Sequence, residues 1–450
     1  MSKGKTVITL GAGGAKDIGM PLGSELHDKI CQLDVNLVAA LLYQSLKKRA
    51  EQFFKKHPEV KSSGLGSYSV DGFIKCYLSF LIGKYQHAYL EKKRETAIDQ
   101  DLFEKIRDEI MKLAPTDLFF RENFLNFGKK NKLIEEFLEE DLVGTEPDVE
   151  KALSQCPEYE AFSCAAKIAR ENCRSSVDVL LSHIIKDKII LPPFVEKDKV
   201  VTYIKKLVAF SILCLENNLS LSGVNNWYHV LSEAIVNRDN LDDITIICFN
   251  YDRTLDEFLN KHLPHQYREE IKKRIIYPYG SLSEVENACP DCKFGWLNDA
   301  LKYAVGIDGH DGRIRFDYKG LDLLYNFITD AAEAGKPCLA SFAKCIKTIG
   351  EDDQYTKERF ALAKQEISSA NRLYFIGFGF IEENCANLGL ESVMSNKNKI
   401  IFYTNYKGLE ERIARYIKMP HGVSDREEDK CRIKSYGNIK DALRSSFDPI

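Results

Sequence analysis

The stretch ITLGAGGAKDIGMPLG, residues 8–23, closes an apolar run and then places glycines at 11, 13, 14, 19 and 23. Glycine inside regular structure costs roughly 0.5–1 kcal/mol relative to alanine. Five in thirteen residues therefore require either an unusual turn or a ligand lying against the main chain. Backbone N–H groups bared at a helix start attract anions, which makes a phosphate-bearing ligand the first candidate. Four other stretches end apolar runs with residues of similar use: FNYD (249–252), YPYGS (277–281), GFGF (377–380) and TN (404–405). Glycines, amides, a carboxylate and hydroxyls gathered at strand ends form an inventory suited to a dinucleotide.

The elements that must position these residues are legible as periods. TVITL (6–10), DITIICFNYD (243–252), RIIYPYGSL (274–282), NRLYFIGFGF (371–380) and KIIFYTN (399–405) are short, apolar and rich in β-branched or aromatic residues, as buried parallel strands are. Helical patterns lie between several of them, at 355–370 and 406–418. Alternation of this kind predicts an α/β fold, a Rossmann-like doubly wound parallel sheet. From about residue 25 to 239 the period is helical instead, with breaks at 62–67, around 144–147 and at 191–194. The expected organisation is a discontinuous sheet domain, 1–24 plus 240–450, carrying a large inserted helical domain, 25–239.

The 450 residues, 44% hydrophobic, can bury a large core divided among two or three domains. With 63 basic against 67 acidic residues the net charge is −4, so the global positive field of nucleic-acid or anionic-membrane binders is missing. Thirteen cysteines, scattered singly apart from Cys289 and Cys292, fit a reducing compartment. The N-terminus MSKGKTVITL has no long apolar core before a small-residue cleavage site, and the most apolar stretch, 200–215, carries Lys205 and Lys206. The expectation is a cytoplasmic protein without membrane spans, and a buried helix at 200–215.

An ordinary dinucleotide fingerprint is Gly-x-Gly-x-x-Gly, and here position 16 is lysine. The joint pattern is more specific. Gly-Ala-Gly followed by Gly19-Met-Pro21, then FNYDR (249–253), then YGSL (279–282), then GFGF with Asn384 shortly after, resembles the sirtuin-like NAD-binding domain of bacterial antiviral NADases. The resemblance spans 1–24 and 240–420 and leaves the helical insertion unmatched. It implies that Gly11, Ala12, Gly13, Gly14 and Ala15 cradle the pyrophosphate of NAD+, with alanine at 15 where relatives often carry serine. It implies that Asn250 holds the nicotinamide ribose and a water, and that Asp252 reads the carboxamide region. Gly377 and Gly379 would let the chain pass beside the adenine ribose, which Thr404 or Asn405 would hydrogen-bond. NAD+ enters as substrate, and no metal is expected.

One departure from that family concerns the base. Where relatives have histidine, this chain has Tyr279 and Tyr277. An imidazole titrates near about 6.5 and accepts a proton readily, whereas a phenol near about 10 stays protonated unless strongly perturbed. Either Tyr279 only positions the ribose or another group supplies the base, with His262, His265 and His310 as substitutes in the right half of the chain. Cys289-x-x-Cys292 sits where deacetylating sirtuins begin a zinc ribbon, but the next cysteines, Cys338 and Cys345, lack the paired spacing of a structural zinc site. A missing ribbon argues against protein deacetylation. Arg253 has three readings, a phosphate contact, a salt bridge or a helix cap.

The resulting expectation is an NAD+ nucleosidase that releases nicotinamide and ADP-ribose in antiphage defence, silent until a phage signal or a partner releases it. A homo-oligomer is expected, through apolar helix faces such as LVAALLYQSL (37–46), with an ATPase or another defence subunit as partner. The alternatives are a sensor or scaffold that binds NAD or ADP-ribose without turnover, and an ADP-ribosyltransferase.

Overall fold

The computed structural model describes chiefly residues 4–16, 18–21, 177–191, 195–219, 227–237, 241–285, 339–348, 353–394, 398–404 and 433–436, with shorter pieces elsewhere. The chain divides into two compact units. One comprises Met1–Ile30, Lys167–Phe294 and Ala334–Ile450; the other comprises Cys31–Ala166 and Gly295–Glu333. Residues 167–239, on the insertion side of the expected boundary, thus group with the sheet.

The first strand, β1 (Thr6–Leu10), is buried at every position, as is β2 (Ile244–Cys248). The shorter β3 (Ile275–Ile276) follows. In the second unit β4 (Gly306–Ile307) and β5 (Ile314–Arg315) form a separate antiparallel pair. The sheet resumes with β6 (Arg372–Ile376), β7 (Ile400–Thr404) and β8 (Ile433–Tyr436). Its order is β3-β2-β1-β6-β7-β8, and every neighbouring pair is parallel. The fold is therefore α/β, on a six-stranded parallel sheet. The chain builds outward from β1 to β3, returns across the sheet, and builds outward again from β6, so strand order reverses between β1 and β6.

Alternation along the strands gives each face its own core. Ile8, Leu10, Ile244, Ile246, Tyr374 and Ile376 point to one side, and Val7, Ile247, Leu373, Phe375 and Ile401 to the other. Short α1 (Ala12–Lys16) leaves β1. The helices α2 (Val177–Ile185), α3 (Lys197–Asn218), α4 (Trp227–Val236), α5 (Thr254–His262) and α6 (His265–Lys272) precede β3. Residues of α4, α5 and α6 line the first core. The helices α7 (Leu339–Cys345), α8 (Gln354–Ser369), α9 (Glu382–Asn387) and α10 (Leu390–Met394) come later, and α8, α9 and α10 line the second core. Helix α8 buries Thr356, Phe360, Ala363 and Ile367, one stripe at helical spacing, and Asp353 caps its start by accepting the Thr356 N–H at 2.7 Å.

Helix α3 accounts for the apolar stretch at 200–215: Val200, Ile204, Leu207, Val208 and Phe210 are buried, and Lys205 pairs with Glu351. Among the described residues no helix is long and apolar enough to cross a membrane. The helix expected at 406–418 lies outside the described residues.

Candidate functional site at the reversal of strand order

The glycine turn after β1 closes on the chain itself. Gly11 N–H donates to Ile376 C=O (2.9 Å), Gly13 N–H to Gly377 C=O (3.0 Å), and Gly14 N–H to Gly11 C=O (2.9 Å). A Cβ at Gly377, where φ is +58°, would stand 1.9 Å from the Gly14 nitrogen. The main chain of one strand end thus lies against the main chain of the next, and bare glycines on both sides permit it. Thr404 Oγ1 accepts the Gly377 N–H at 2.8 Å and so fixes this loop from β7. Trp227 Nε1–H donates to Gly14 C=O at 3.0 Å. Of the five residues expected as a cradle, Ala12 alone is exposed, and Ala15 is buried. Gly379 differs from Gly377: the nearest atom to a Cβ there would be an Ile381 side-chain carbon at 3.9 Å, so it borders open space. Asn405 lies outside the described residues.

The second strand end lies beside this turn. Phe249 N–H donates to Leu10 C=O (2.9 Å), carrying the β1–β2 pairing to the edge of the glycines. Asn250 comes next, 8% exposed. Among the described residues its Oδ1 is buried without a hydrogen-bond partner. Buried acceptors are nearly always satisfied, and an unsatisfied one costs about 1–3 kcal/mol. Asp252 is bound differently: its Oδ1 accepts both the N–H (3.1 Å) and the hydroxyl of Thr254, an Asx turn at the start of α5. Burial pushes its carboxyl up, opposed by those two bonds from Thr254.

Arg253 takes the salt-bridge reading. Its Nε donates to Glu216 Oε2 at 2.8 Å and its backbone N–H to Glu216 Oε1 at 2.5 Å, in a pair only 4% and 3% exposed. Burial outweighs Arg253 and pushes Glu216 from 4.5 up to about 7. The folded state therefore holds a proton that the unfolded chain releases at lower pH. Glu216 favours the folded state fully below 4.5, and that favour is lost as pH rises through about 7. We expect melting temperature to fall less steeply over this window for Glu216→Gln than for the native chain, and the variant to be less stable than the native chain above about 7, where Arg253 loses an anionic partner. Calorimetric scans across the window test this, and equal slopes would refute it.

The two tyrosines of YPYGS part to opposite faces of the sheet. Tyr277 donates its hydroxyl to Asp256, which also accepts from Ser283 Oγ at 2.6 Å. Tyr279 donates to Asn384 Oδ1 at 2.5 Å. Burial pushes the Tyr279 phenol far up. It stays protonated at neutral pH, a donor and not a base. Gly280 between these elements has φ of +74°, and a Cβ there would lie 1.9 Å from Cys345 C=O. Ser281 caps a short 3-10 turn, Leu282–Glu284. Leu282 N–H donates to Tyr251 C=O at 2.9 Å, tying this element to FNYD.

His262, one of the candidate substitutes for a base, lies on the helix that follows FNYD. It ends α5, about 12 Å along the helix from Thr254, and stacks on Phe258 with centroids 4.2 Å apart. His265 opens α6 and is exposed. His310, Cys289, Cys292 and Cys338 lie outside the described residues, among which no group of three or more histidine, cysteine, aspartate or glutamate residues is placed to hold a metal. Sequence reasoning missed Asp178, Glu216 and Asp256. Each is an ordinary acid on a helix, and only contacts across tens of residues set it apart. No protein-family model matches the chain, and no curated protein or solved structure matches it either.

Proposed function

We propose that the chain is an NAD+ glycohydrolase with a sirtuin-like domain, cleaving NAD+ to nicotinamide and ADP-ribose in antiphage defence. The observation that carries this reading is the buried, unpartnered Oδ1 of Asn250 beside the glycine turn. A ligand that donates a ribose hydroxyl or a water to that oxygen repays a desolvation cost the protein alone leaves open. The strand order, 3-2-1-4-5-6 in chain order, supports a Rossmann-like doubly wound sheet, in which a dinucleotide lies across the reversal point. Open space at Gly379 supports the passage of a ligand beside the β6 end.

In this mechanism the bond between ribose C1′ and the nicotinamide nitrogen breaks, and its electron pair leaves with neutral nicotinamide. Water adds to the oxocarbenium-like carbon and loses a proton to solvent. Asn250 orients the ribose and the water, and the Asn250–Asp252 loop faces the developing positive charge. Tyr279 positions and does not deprotonate. A cationic leaving group makes this sufficient without a strong base. Activity appears on assembly with further copies of the chain or with a partner, such as an ATPase of the same defence system. The helical segment carries those contacts.

A second reading, a sensor that binds NAD or ADP-ribose without turnover, draws on the protonated and occupied phenol of Tyr279. Incubating the full chain with NAD+, alone and with its genomic neighbours and phage lysate, separates the two. Nicotinamide release supports the glycohydrolase. Calorimetric binding with no release under any of these conditions overturns it in favour of the sensor.

A further inference from the structure

Among the described residues no group bonds Asn250 Oδ1 to aim it, so its direction depends on the chain on either side. The following residue, Tyr251, is held at both ends. Its C=O accepts Leu282 N–H (2.9 Å) and Ser281 Oγ (3.4 Å). Its Oη stands 2.6 Å from Asp178 Oδ1 and 2.6 Å from Lys347 C=O. A phenol has one proton, and a carbonyl has none to give. Both short contacts are satisfied together when Tyr251 donates to Lys347 and Asp178, carrying its own proton, donates to Tyr251. Burial favours that protonated carboxyl. Asp178 lies in the first turn of α2, and the turn that follows the same helix is tied to α9 by Lys186 and Glu383 at 2.7 Å. One helix thus touches the loop of Asn250 and the helix that follows GFGF.

We infer that Asp178 is a positioning residue for Asn250, acting through the phenol of Tyr251. The inference rests on the reading of the site as a glycohydrolase and adds the group that aims its central amide. Asp178 touches no reacting atom. It restricts Tyr251, and Tyr251 restricts the backbone on which Asn250 turns.

The test uses the full chain and the variants Tyr251→Phe, Asp178→Ala, Asp178→Asn and the Tyr251→Phe/Asp178→Ala double, read by steady-state NAD+ cleavage and by hydrogen exchange of the segment around 249–253. Tyr251→Phe and Asp178→Ala are expected to lower kcat about tenfold with KM within about twofold. Both should speed exchange of that segment about tenfold, leaving β1 and α8 unchanged. Asp178→Asn, whose amide N–H can donate to Tyr251, is expected to retain kcat and exchange within about twofold. The double variant should be no worse than either single one. Native kinetics and exchange in both Tyr251→Phe and Asp178→Ala overturn the inference, as does an Asp178→Asn variant as impaired as Asp178→Ala. If the native chain releases no nicotinamide, the glycohydrolase reading falls, and the exchange measurements still decide whether Asp178 positions this loop.

Discussion

Asn250→Ala is expected to lower nicotinamide release by about a hundredfold or more while leaving the protein as stable as before, or slightly more stable. The two halves of that expectation come from one atom. Asn250 Oδ1 is buried without a partner in the folded chain, so its removal breaks no protein hydrogen bond and relieves an unsatisfied acceptor. Most substitutions at a site 8% exposed destabilise, which makes an unchanged or raised melting temperature diagnostic. Among the described residues Asn250 Oδ1 shares this unsatisfied state with side-chain atoms of Thr9, His229 and Thr356, and what sets it apart is its place beside the glycine turn. In catalysis the same oxygen meets charge as it develops on the ribose, where one preorganised dipole is worth about 10²–10³ in rate. Activity measured in the activated assembly, alongside calorimetric unfolding, checks both halves. Full activity in Asn250→Ala would refute the catalytic assignment. Lost stability together with lost activity would make Asn250 a structural residue instead.

Gly377→Ala and Gly379→Ala are expected to behave in opposite ways, although they stand two residues apart in GFGF. At Gly377 the backbone is left-handed, φ +58°, and the added carbon would stand 1.9 Å from Gly14 N and 2.3 Å from Gly13 C. Left-handed geometry alone costs a non-glycine residue about 1–2 kcal/mol. The overlap is with backbone and cannot be relieved by a rotamer change, so β1 and β6 must separate at their ends. We expect a loss of at least about 3 kcal/mol, at the upper end of single-substitution effects, seen as an unfolded or poorly soluble product. At Gly379 the nearest neighbour is 3.9 Å away, so the alanine variant should fold with native stability. Any loss it shows is then a loss of ligand affinity, read by titration with NAD+. A stable Gly377→Ala variant would contradict the backbone contact described here.

The strands show how far local pattern reaches. TVITL reads as a buried strand and is one at Thr6–Leu10, because a strand covered on both faces needs apolar residues at nearly every position. The runs at 243–252, 274–282, 371–380 and 399–405 each contain a strand, shorter than the run: β3 ends before Tyr277 and β6 before Gly377. The sixth strand, Ile433–Tyr436, was not legible. Its sequence, IKSY, is four residues long and only half apolar, as an edge strand with Lys434 and Ser435 exposed allows. The expected boundary at 239 followed the change from helical to strand period, yet α2, α3 and α4 group with the sheet, because period reports secondary structure and not which core a helix joins.

The candidate site divides in the same way. Asn250 and the glycines at 11, 13, 14 and 377 stand out in sequence by residue type and by their place after apolar runs. What they face does not. Gly13 meets Gly377 across 364 positions, and Tyr251 meets Asp178 across 73. Tyr277 and Tyr279 differ by two residues yet enter different cores.

The sequence by itself determined the α/β character, the strand cores and the bare main chain after β1, because these depend on period and on the missing Cβ, which are local properties. Only the tertiary structure decided that this bare main chain closes against a second glycine loop, that Arg253 is spent on Glu216, and that Asn250 is the buried amide left without a partner. Hydrogen-bond satisfaction is settled by groups that sequence distance does not bring together, and a pattern of neighbours carries no record of it.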